Sequence, residues 1–156
     1  MHVEIYSDGS SRGNPGPGGY GTIVRYVAPD GQEHIREFSE GFSMTTNNRM
    51  ELLGAIVGFE ALIKPCDVTF TSDSKYVIDA FNENWIDYWK THDFVKKDKK
   101  KVKNRDLWER LLKAVAVHNV KYVWVKGHAG HEYNERCDSL AVKASEGENL
   151  VPNVET

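Results

Sequence analysis

The sequence of 156 residues has few of the features that mark secreted, membrane-spanning or disulfide-stabilised proteins. Two cysteines, Cys66 and Cys137, are too few for a disulfide framework. No window approaches the roughly 18–20 consecutive apolar residues of a membrane span. The first residues lack a basic stretch and a long apolar run, which argues against a secretory signal. We therefore expect a reduced, cytoplasmic protein without membrane association.

The net charge of −3 conceals an uneven distribution of charge along the chain. Residues 90–105 carry eight Lys and Arg against two Asp, a local charge of +6, and the remainder of the chain carries −9. Residues 146–156 hold three acids and no base, and they lack a hydrophobic period, so we expect a flexible acidic tail. The pattern excludes a uniformly basic protein and predicts a cationic patch on an acidic body.

Hydrophobic periodicity predicts five strands and five helices in one α/β domain that covers residues 1–145. A basic protrusion is expected at about residues 84–105, and residues 10–21 are expected to be a turn-rich connection. The order of elements favours a mixed sheet with helices on its faces, because three tightly connected strands come first. The predicted strands cover 3–7, 22–27, 33–42, 68–71 and 122–125, and the predicted helices 47–64, 74–81, 84–91, 106–117 and 135–145.

Residues 16–21 match the glycine spacing of a dinucleotide-binding loop, but their context does not. In that motif the last glycine opens a helix. Here the β-branched residues that follow Gly21 predict a strand, and Pro17 removes a backbone donor from the loop. A glycine-rich hairpin connection is the better interpretation.

Four acids lie at the predicted ends of strands and helices, and each has an ordinary structural explanation. Asp8 and Asp73 suit turns or caps at strand ends. Glu51 could be the third-position partner of an Asn48 helix cap, and Asp138 could be favoured by a helix dipole. Spacing alone does not show that the four converge.

Convergence of these acids would constrain their chemistry. Several ionised carboxylates within a few ångströms repel one another, so at least one pKa would rise. Oxygen-only ligands select hard divalent ions such as Mg²⁺ or Mn²⁺. Two such ions about 3.5–4 Å apart could activate a water and stabilise the leaving oxygen of a phosphodiester.

Two histidines follow the last predicted strand in a glycine-containing loop. Together with Cys137, His128 and His131 could suggest zinc, but their spacing fits no common closed zinc pattern. A histidine in such a loop can transfer protons near neutral pH, although a surface histidine without a role is an equally simple interpretation.

The basic segment is preceded and interrupted by aromatic residues. Trp85, Tyr88 and Trp89 have helical spacing, so one helix face could present them to solvent or bury them in the core. Lysine runs are usually solvated surface. Cationic and aromatic surface together favours contact with a nucleic-acid backbone.

Seven segments, taken in order, closely resemble the bacterial type 1 ribonuclease H family. They are YSDGS at 6–10, GNPGPGGYG at 13–21, TTNNRMEL at 45–52, TSDS at 71–74, VKNRDLW at 102–108, WVKGHAGH at 124–131 and NERCD at 134–138. The resemblance implies a five-stranded mixed sheet with strands one to three antiparallel and with flanking helices. It also implies a monomeric, metal-dependent endoribonuclease that cleaves the RNA strand of RNA–DNA hybrids, leaving 5′-phosphate and 3′-hydroxyl ends.

The resemblance assigns roles to individual residues. It implies that Asp8, Glu51, Asp73 and Asp138 are catalytic and hold Mg²⁺, with Mn²⁺ as an alternative, and that His128 handles protons. The RNA strand, with its 2′-hydroxyls, is expected at Gly9, Ser10, Asn14, Asn47, Glu51, Lys75 and Asn134. The DNA strand and its phosphates are expected at Asn14, Thr46, Asn48, Asn104 and Trp85.

Two other functional classes stay open at this point. A non-catalytic hybrid- or duplex-binding module would keep the fold, although the intact set of four acids argues against it. An integrase or resolvase would share the wider superfamily, although the match at residues 45–52 and the basic segment argue against that.

Overall fold

The computed structural model describes residues 1–127 and 131–155. In these two ranges ten elements follow one another in the predicted order, and no helix within them is both long enough and apolar enough to cross a bilayer. The strands are β1 (His2–Ser11), β2 (Gly16–Val27), β3 (Glu33–Thr45), β4 (Asp67–Ser72) and β5 (Asn119–Trp124); the helices are α1 (Asn47–Glu60), α2 (Lys75–Asn82), α3 (Trp85–Thr91), α4 (Arg105–Val115) and α5 (Glu132–Ser145).

The five strands form one mixed sheet in the order β3-β2-β1-β4-β5. Strands β1, β2 and β3 pair antiparallel, whereas β4 pairs parallel with β1 and β5 pairs parallel with β4. The predicted five-stranded mixed sheet is therefore confirmed. Because β1 and β4 are parallel neighbours, residues that follow their carboxyl ends lie at the same edge of the sheet.

The glycine-rich stretch is strand, contrary to the prediction of a turn-rich connection through Gly21. Strand β2 already begins at Gly16, and two of its glycines, Gly19 and Gly21, lie under helix α5. A Cβ atom would lie 2.7 Å from the Ala141 carbonyl oxygen at Gly19, and 2.2 Å from the Cys137 carbonyl oxygen at Gly21. The glycines therefore permit close helix–sheet packing, a long-range requirement that local turn propensity does not reveal.

Helices α1 and α5 cover opposite faces of the sheet. On β2, Gly21 faces α5, while the neighbouring Thr22 donates its hydroxyl to the Gly54 carbonyl oxygen of α1 at 2.7 Å. Successive residues of a strand point to opposite faces, so the two helices lie on different sides. The main core is on the α1 side, where α4 packs against α1, and its fully buried side chains include Ile5, Leu52, Ile56, Phe59, Val68, Phe70, Trp108 and Leu111.

An aromatic cluster around Trp108 fixes α2 and α3 against α4. The Trp108 ring lies 5.1 Å from that of Trp89 and 5.4 Å from that of Tyr76, and its indole N–H donates to the Tyr76 hydroxyl at 3.0 Å. Trp89 is buried, whereas Trp85 is 43% exposed. The three aromatic residues at helical spacing thus differ in environment: Trp89 belongs to the core, Tyr88 is half-buried, and Trp85 lies on the surface.

The acidic tail follows α5 and runs beside the edge strand β3. The Ser43 N–H donates to the Val151 carbonyl oxygen at 3.0 Å, and the Asn153 N–H donates to that of Met44 at 2.8 Å. The Asn153 side chain also accepts from the buried Arg49 guanidinium at 2.8 Å. These contacts give the tail a defined course beside β3, and its flexibility stays a prediction.

Replacing Gly21 by Ala should destabilise the fold by about 1–3 kcal/mol, the usual cost of an overpacked contact. The added methyl group would meet backbone of α5, which cannot rotate away as a side chain can. Urea unfolding measures the loss. Gly147→Ala is the control, because its Cβ would lie no closer than 3.3 Å to another group; equal losses in the two variants would contradict the close-packing explanation.

Candidate active site

Three carboxylates meet at the edge of the sheet where β1 and β4 end. Asp8 lies near the end of β1, Asp73 directly follows β4, and Glu51 comes from the first half of α1. One oxygen from each lies within 4.8 Å of the others. In residues 1–127 and 131–155 this is the only group of at least three acidic, His or Cys side chains that could share a metal ion.

Asp138 joins this group from α5. Its carboxyl group is hydrogen bonded to that of Asp8, and both line the same open cleft of about 430 Å³. The structure thus brings together the four acids that sequence spacing left apart. They come from β1, α1, the β4–α2 connection and α5, so only the tertiary fold could unite them.

Glu51 is held in place by the backbone of β1. Its carboxylate accepts the Gly9 N–H and the Ser74 hydroxyl. A Cβ atom on Gly9 would lie 2.4 Å from the Met50 carbonyl carbon, so only glycine allows β1 to approach α1 this closely. Helix α1 is capped by Thr46, whose hydroxyl accepts the Arg49 N–H at 3.2 Å, and the alternative of an Asn48–Glu51 capping box is therefore wrong.

Burial and mutual repulsion disfavour the ionised forms of the cluster. Burial, followed by the charges of Glu51, Asp73 and Asp138, raises the pKa of Asp8 to about 9. Burial and the charge of Asp73 raise the pKa of Glu51 to about 8, against the opposing hydrogen bonds from Ser74 and Gly9. A divalent cation removes such a cost, and an all-oxygen ligand set suits a hard ion. The residues present therefore fit a divalent metal.

Five of the predicted substrate-binding residues line the acidic cleft: Gly9, Ser10, Asn47, Asn48 and Lys75. Asn14 lies beside them, and its side-chain oxygen accepts the Asn47 N–H at 3.2 Å. The Lys75 ammonium lies 4.7 Å from the centre of the Trp124 ring, and the Trp124 indole N–H donates to the Asp73 carbonyl oxygen at 3.0 Å. The cleft thus combines acidic, amide and cationic groups.

The remaining predicted binding residues have internal partners or are buried. Thr46 caps α1. Asn104 is buried between the Arg49 guanidinium, at 3.2 Å, and the Tyr76 hydroxyl, at 3.3 Å. Asn134 is 1% exposed at the start of α5, and its side-chain oxygen has no hydrogen-bond partner in the described part of the chain. Their roles toward a substrate stay predictions, and that of His128 lies outside the described residues.

A second, larger hollow adjoins the cleft beside α3 and the lysines that follow it. It has a volume of about 540 Å³ and is lined in part by Trp85, Tyr88, Lys96 and Lys97. Tyr76 lines both spaces, which connects the acidic cleft to the cationic and aromatic surface. Sequence reasoning missed Tyr76, although its place directly after Lys75 on α2 was a usable signal.

Sequence reasoning also missed Arg49, which is 3% exposed. Its guanidinium makes a bidentate contact with Asp106, at 2.8 and 3.0 Å, and so joins α1 to the first turn of α4. This contact lowers the pKa of Asp106. Arginine usually lies on the surface, so the composition of the chain did not indicate that Arg49 is buried and joins two helices.

The RNase H family model matches residues 1–146. The chain is 59% identical to the ribonuclease H of Lachnoclostridium phytofermentans over 151 residues, 96% of both chains, and 56% identical to that of Proteus mirabilis over 148 residues, 94% of this chain and 89% of the relative. Fold and site thus define a metal-dependent endoribonuclease. The chain belongs to the ribonuclease H family.

Solved structures agree with this assignment. LC9-RNase H1, a type 1 RNase H with the type 2 active-site motif, superimposes with a TM-score of 0.84 at 36% identity, covering 95% of this chain and 74% of that one. LC11-RNase H1, solved in complex with RNA/DNA hybrid, shares the fold with a TM-score of 0.68 at 22% identity, covering 92% and 96% of the two chains.

Asp8→Asn should stabilise the metal-free protein at pH 7 by up to about 4 kcal/mol, since about three pH units separate pH 7 from the ordinary carboxyl pKa and each corresponds to about 1.4 kcal/mol. A carboxyl group with a raised folded-state pKa holds its proton longer in the folded than in the unfolded chain. The free energy of unfolding therefore falls as the pH rises from about 4, the ordinary pKa of an Asp, to about 9, the pKa of Asp8 in the folded protein. Thermal unfolding in chelator across this range should show a shallower fall in the variant.

Asp79→Asn is the matched control, because Asp79 lies on α2 outside the cluster. Added Mg²⁺ should reverse the order, stabilising the parent protein more than Asp8→Asn, because a ligand that binds only the folded state stabilises it. Identical pH profiles for the parent and Asp8→Asn proteins would contradict carboxylate repulsion.

Proposed function

We propose that the chain hydrolyses the RNA strand of RNA–DNA hybrids internally, leaving 5′-phosphate and 3′-hydroxyl ends, with Mg²⁺ as the cofactor and Mn²⁺ as an alternative. The observation that carries the proposal is the convergence of Asp8, Glu51, Asp73 and Asp138 in an open cleft joined to a cationic, aromatic surface. The relatives named ribonuclease H and the hybrid complex of LC11-RNase H1 support it.

In this proposal the four carboxylates hold two divalent ions during turnover. Bound ions would supply Lewis-acid activation of the attacking water and stabilisation of the leaving 3′ oxygen. Asp8, which interacts with each of the other three acids, would contribute to both sites, Glu51 and Asp138 would complete one site each, and Asp73 would act near the attacking water. The Gly9 N–H and Ser74 hydroxyl keep the Glu51 carboxylate aimed into the cleft before substrate arrives.

The polar groups around the acids would select the strand that is cut. Ser10 and Asn47 line the cleft beside Asp8, where they could contact 2′-hydroxyls across the wide minor groove of a hybrid. Lys75, Asn14 and Asn134 are assigned to the same strand. A DNA duplex lacks the 2′-hydroxyl, so it would lose these contacts.

The second strand would lie along the far side of the cleft and across the protrusion. Thr46, Asn48 and Asn104 are assigned to the DNA strand and its phosphates, and Trp85 offers exposed aromatic surface for its sugars. His128 would move a proton to or from the departing group. We further propose that the enzyme acts as a monomer and that it acts in the cytoplasm. Analytical ultracentrifugation tests the monomeric state.

A single assay separates this proposal from the other classes. Labelled RNA–DNA hybrid, duplex DNA and duplex RNA are each incubated with Mg²⁺ and with chelator, and the products' ends are identified by mass spectrometry. We expect only the hybrid to be cut, only with metal, and only in its RNA strand. Binding without cleavage would indicate a non-catalytic module, and cleavage or strand transfer of duplex DNA would indicate an integrase or resolvase.

Asp8→Asn should lower the rate of hybrid cleavage at least ~10²-fold, the scale of losing one preorganised electrostatic group. Its amide keeps the shape of the side chain but loses the negative charge that two cations would share. Initial rates in Mg²⁺ measure the effect, with Asp79→Asn as the control. Unchanged turnover with an intact fold would refute the metal assignment.

Replacing Lys96, Lys97, Lys99 and Lys100 with Ala should mainly raise KM, by about tenfold or more at low salt, and flatten its salt dependence, because fewer counterions are released on binding. These lysines are exposed on the protrusion, so the fold should persist. The control replaces four exposed lysines elsewhere: Lys64, Lys113, Lys121 and Lys143. Equal salt slopes in the two variants would show that the protrusion is merely solvated.

A further inference from the structure

The first turn of α4 lacks a cap from its own preceding residue. Asn104 adopts a left-handed conformation, with φ of 62°, and within the described chain its side chain accepts no N–H of the helix. Its side chain instead contacts Arg49 and Tyr76. The exposed N–H groups of a helix start carry partial positive charge and favour an anion.

The anion at this helix start is supplied by the acidic tail. One carboxylate oxygen of Glu155 accepts the Asn104 N–H at 2.5 Å and the Arg105 N–H at 3.3 Å. Burial is the main reason why the pKa of Tyr76 is raised, and the negative charge of Glu155 adds to it. The carboxylate therefore lies close to the residue that connects the acidic cleft to the protrusion.

Contacts that do not involve the Glu155 side chain bring this residue to its position. Val151 and Asn153 pair with the backbone of β3, and the Asn153 side chain accepts from Arg49. The tail can thus remain beside β3 whether or not Glu155 is charged. Since Glu155 itself is exposed, its carboxylate can leave the helix start without disrupting the core.

We propose that the tail restrains its own enzyme: Glu155 occupies the start of α4 in place of a backbone phosphate and must withdraw before a nucleic acid can bind there. The inference rests on the proposed function, which assigns Asn104 and Thr46 to phosphates of the DNA strand. Two anions cannot share one pair of N–H groups. The docked tail lowers the fraction of binding-competent protein, and the apparent affinity for nucleic acid falls in proportion to that fraction.

The test measures binding of a labelled RNA–DNA hybrid by fluorescence anisotropy in full-length Asp8→Asn protein, in which cleavage is suppressed. Three proteins are compared: this background, the background with Glu155→Gln, and the background with Glu148→Gln. Glu148 is an exposed acid of the same tail, so its replacement changes net charge equally. We expect Glu155→Gln to lower the dissociation constant about three- to tenfold relative to Glu148→Gln.

A second probe does not depend on hybrid binding. Inorganic phosphate is titrated into the three proteins while the amide resonances of Asn104 and Arg105 are followed by NMR. These amides should respond at lower phosphate concentration in Glu155→Gln than in the other two proteins. Equal responses in the three proteins would overturn the proposal.

The two probes separate failure of the tail proposal from failure of the proposed function. If the hybrid binds all three proteins with equal affinity, or binds Glu155→Gln more weakly while its melting temperature falls, Glu155 is only a helix cap and the proposal is overturned. If no protein binds the hybrid, the proposed function fails, and the phosphate titration alone decides whether Glu155 competes with an anion.

Discussion

Four carboxyl groups meet where β1 and β4 end, and their mutual repulsion in a partly buried cleft is the constraint on which the rest of the structure depends. The pKa of Asp8 is raised to about 9 and that of Glu51 to about 8, so the metal-free cluster resists full ionisation. The fold maintains this unfavourable arrangement through surrounding contacts. Gly9 brings β1 against α1, and its N–H holds the Glu51 carboxylate. A divalent cation would convert that repulsion into binding energy.

The other elements position surfaces around this cluster. Close packing of α5 over Gly19 and Gly21 brings Asp138 to Asp8 from the opposite side of the sheet to α1. The aromatic contacts of Trp108 hold α2 and α3 in place, which sets α3 and the basic segment that follows it beside the cleft. The acidic cleft and the hollow beside the basic segment thus adjoin each other, and Tyr76 lines both. The near-neutral charge of the whole chain is the sum of two locally opposite surfaces.

Much of the fold was predictable because its elements are locally consistent. The helix predicted at 74–81 is confirmed as α2, where the Ser74 hydroxyl caps the first turn by accepting the Val77 N–H at 3.3 Å. Predictions that failed depended on distant partners. The stretch from Gly16 to Gly21 has turn composition, yet it is strand because it pairs with β1 and β3, and its glycines at 19 and 21 let α5 pack across it. The Trp85, Tyr88 and Trp89 spacing was compatible with two environments, and packing on Trp108 decided which side chain is buried.

The sequence by itself determined the order of the elements, the division into an acidic body and a basic segment, and, through ordered motifs, the family. These properties are carried by neighbouring residues or by composition. Only the tertiary structure decided that Asp8, Glu51, Asp73 and Asp138 share a site, because sequence spacing contains no information about distances between elements. It also decided that Arg49 is an internal link and that Glu155 reaches the start of α4. Each of these contacts joins residues far apart in the chain, and only packing brings them together.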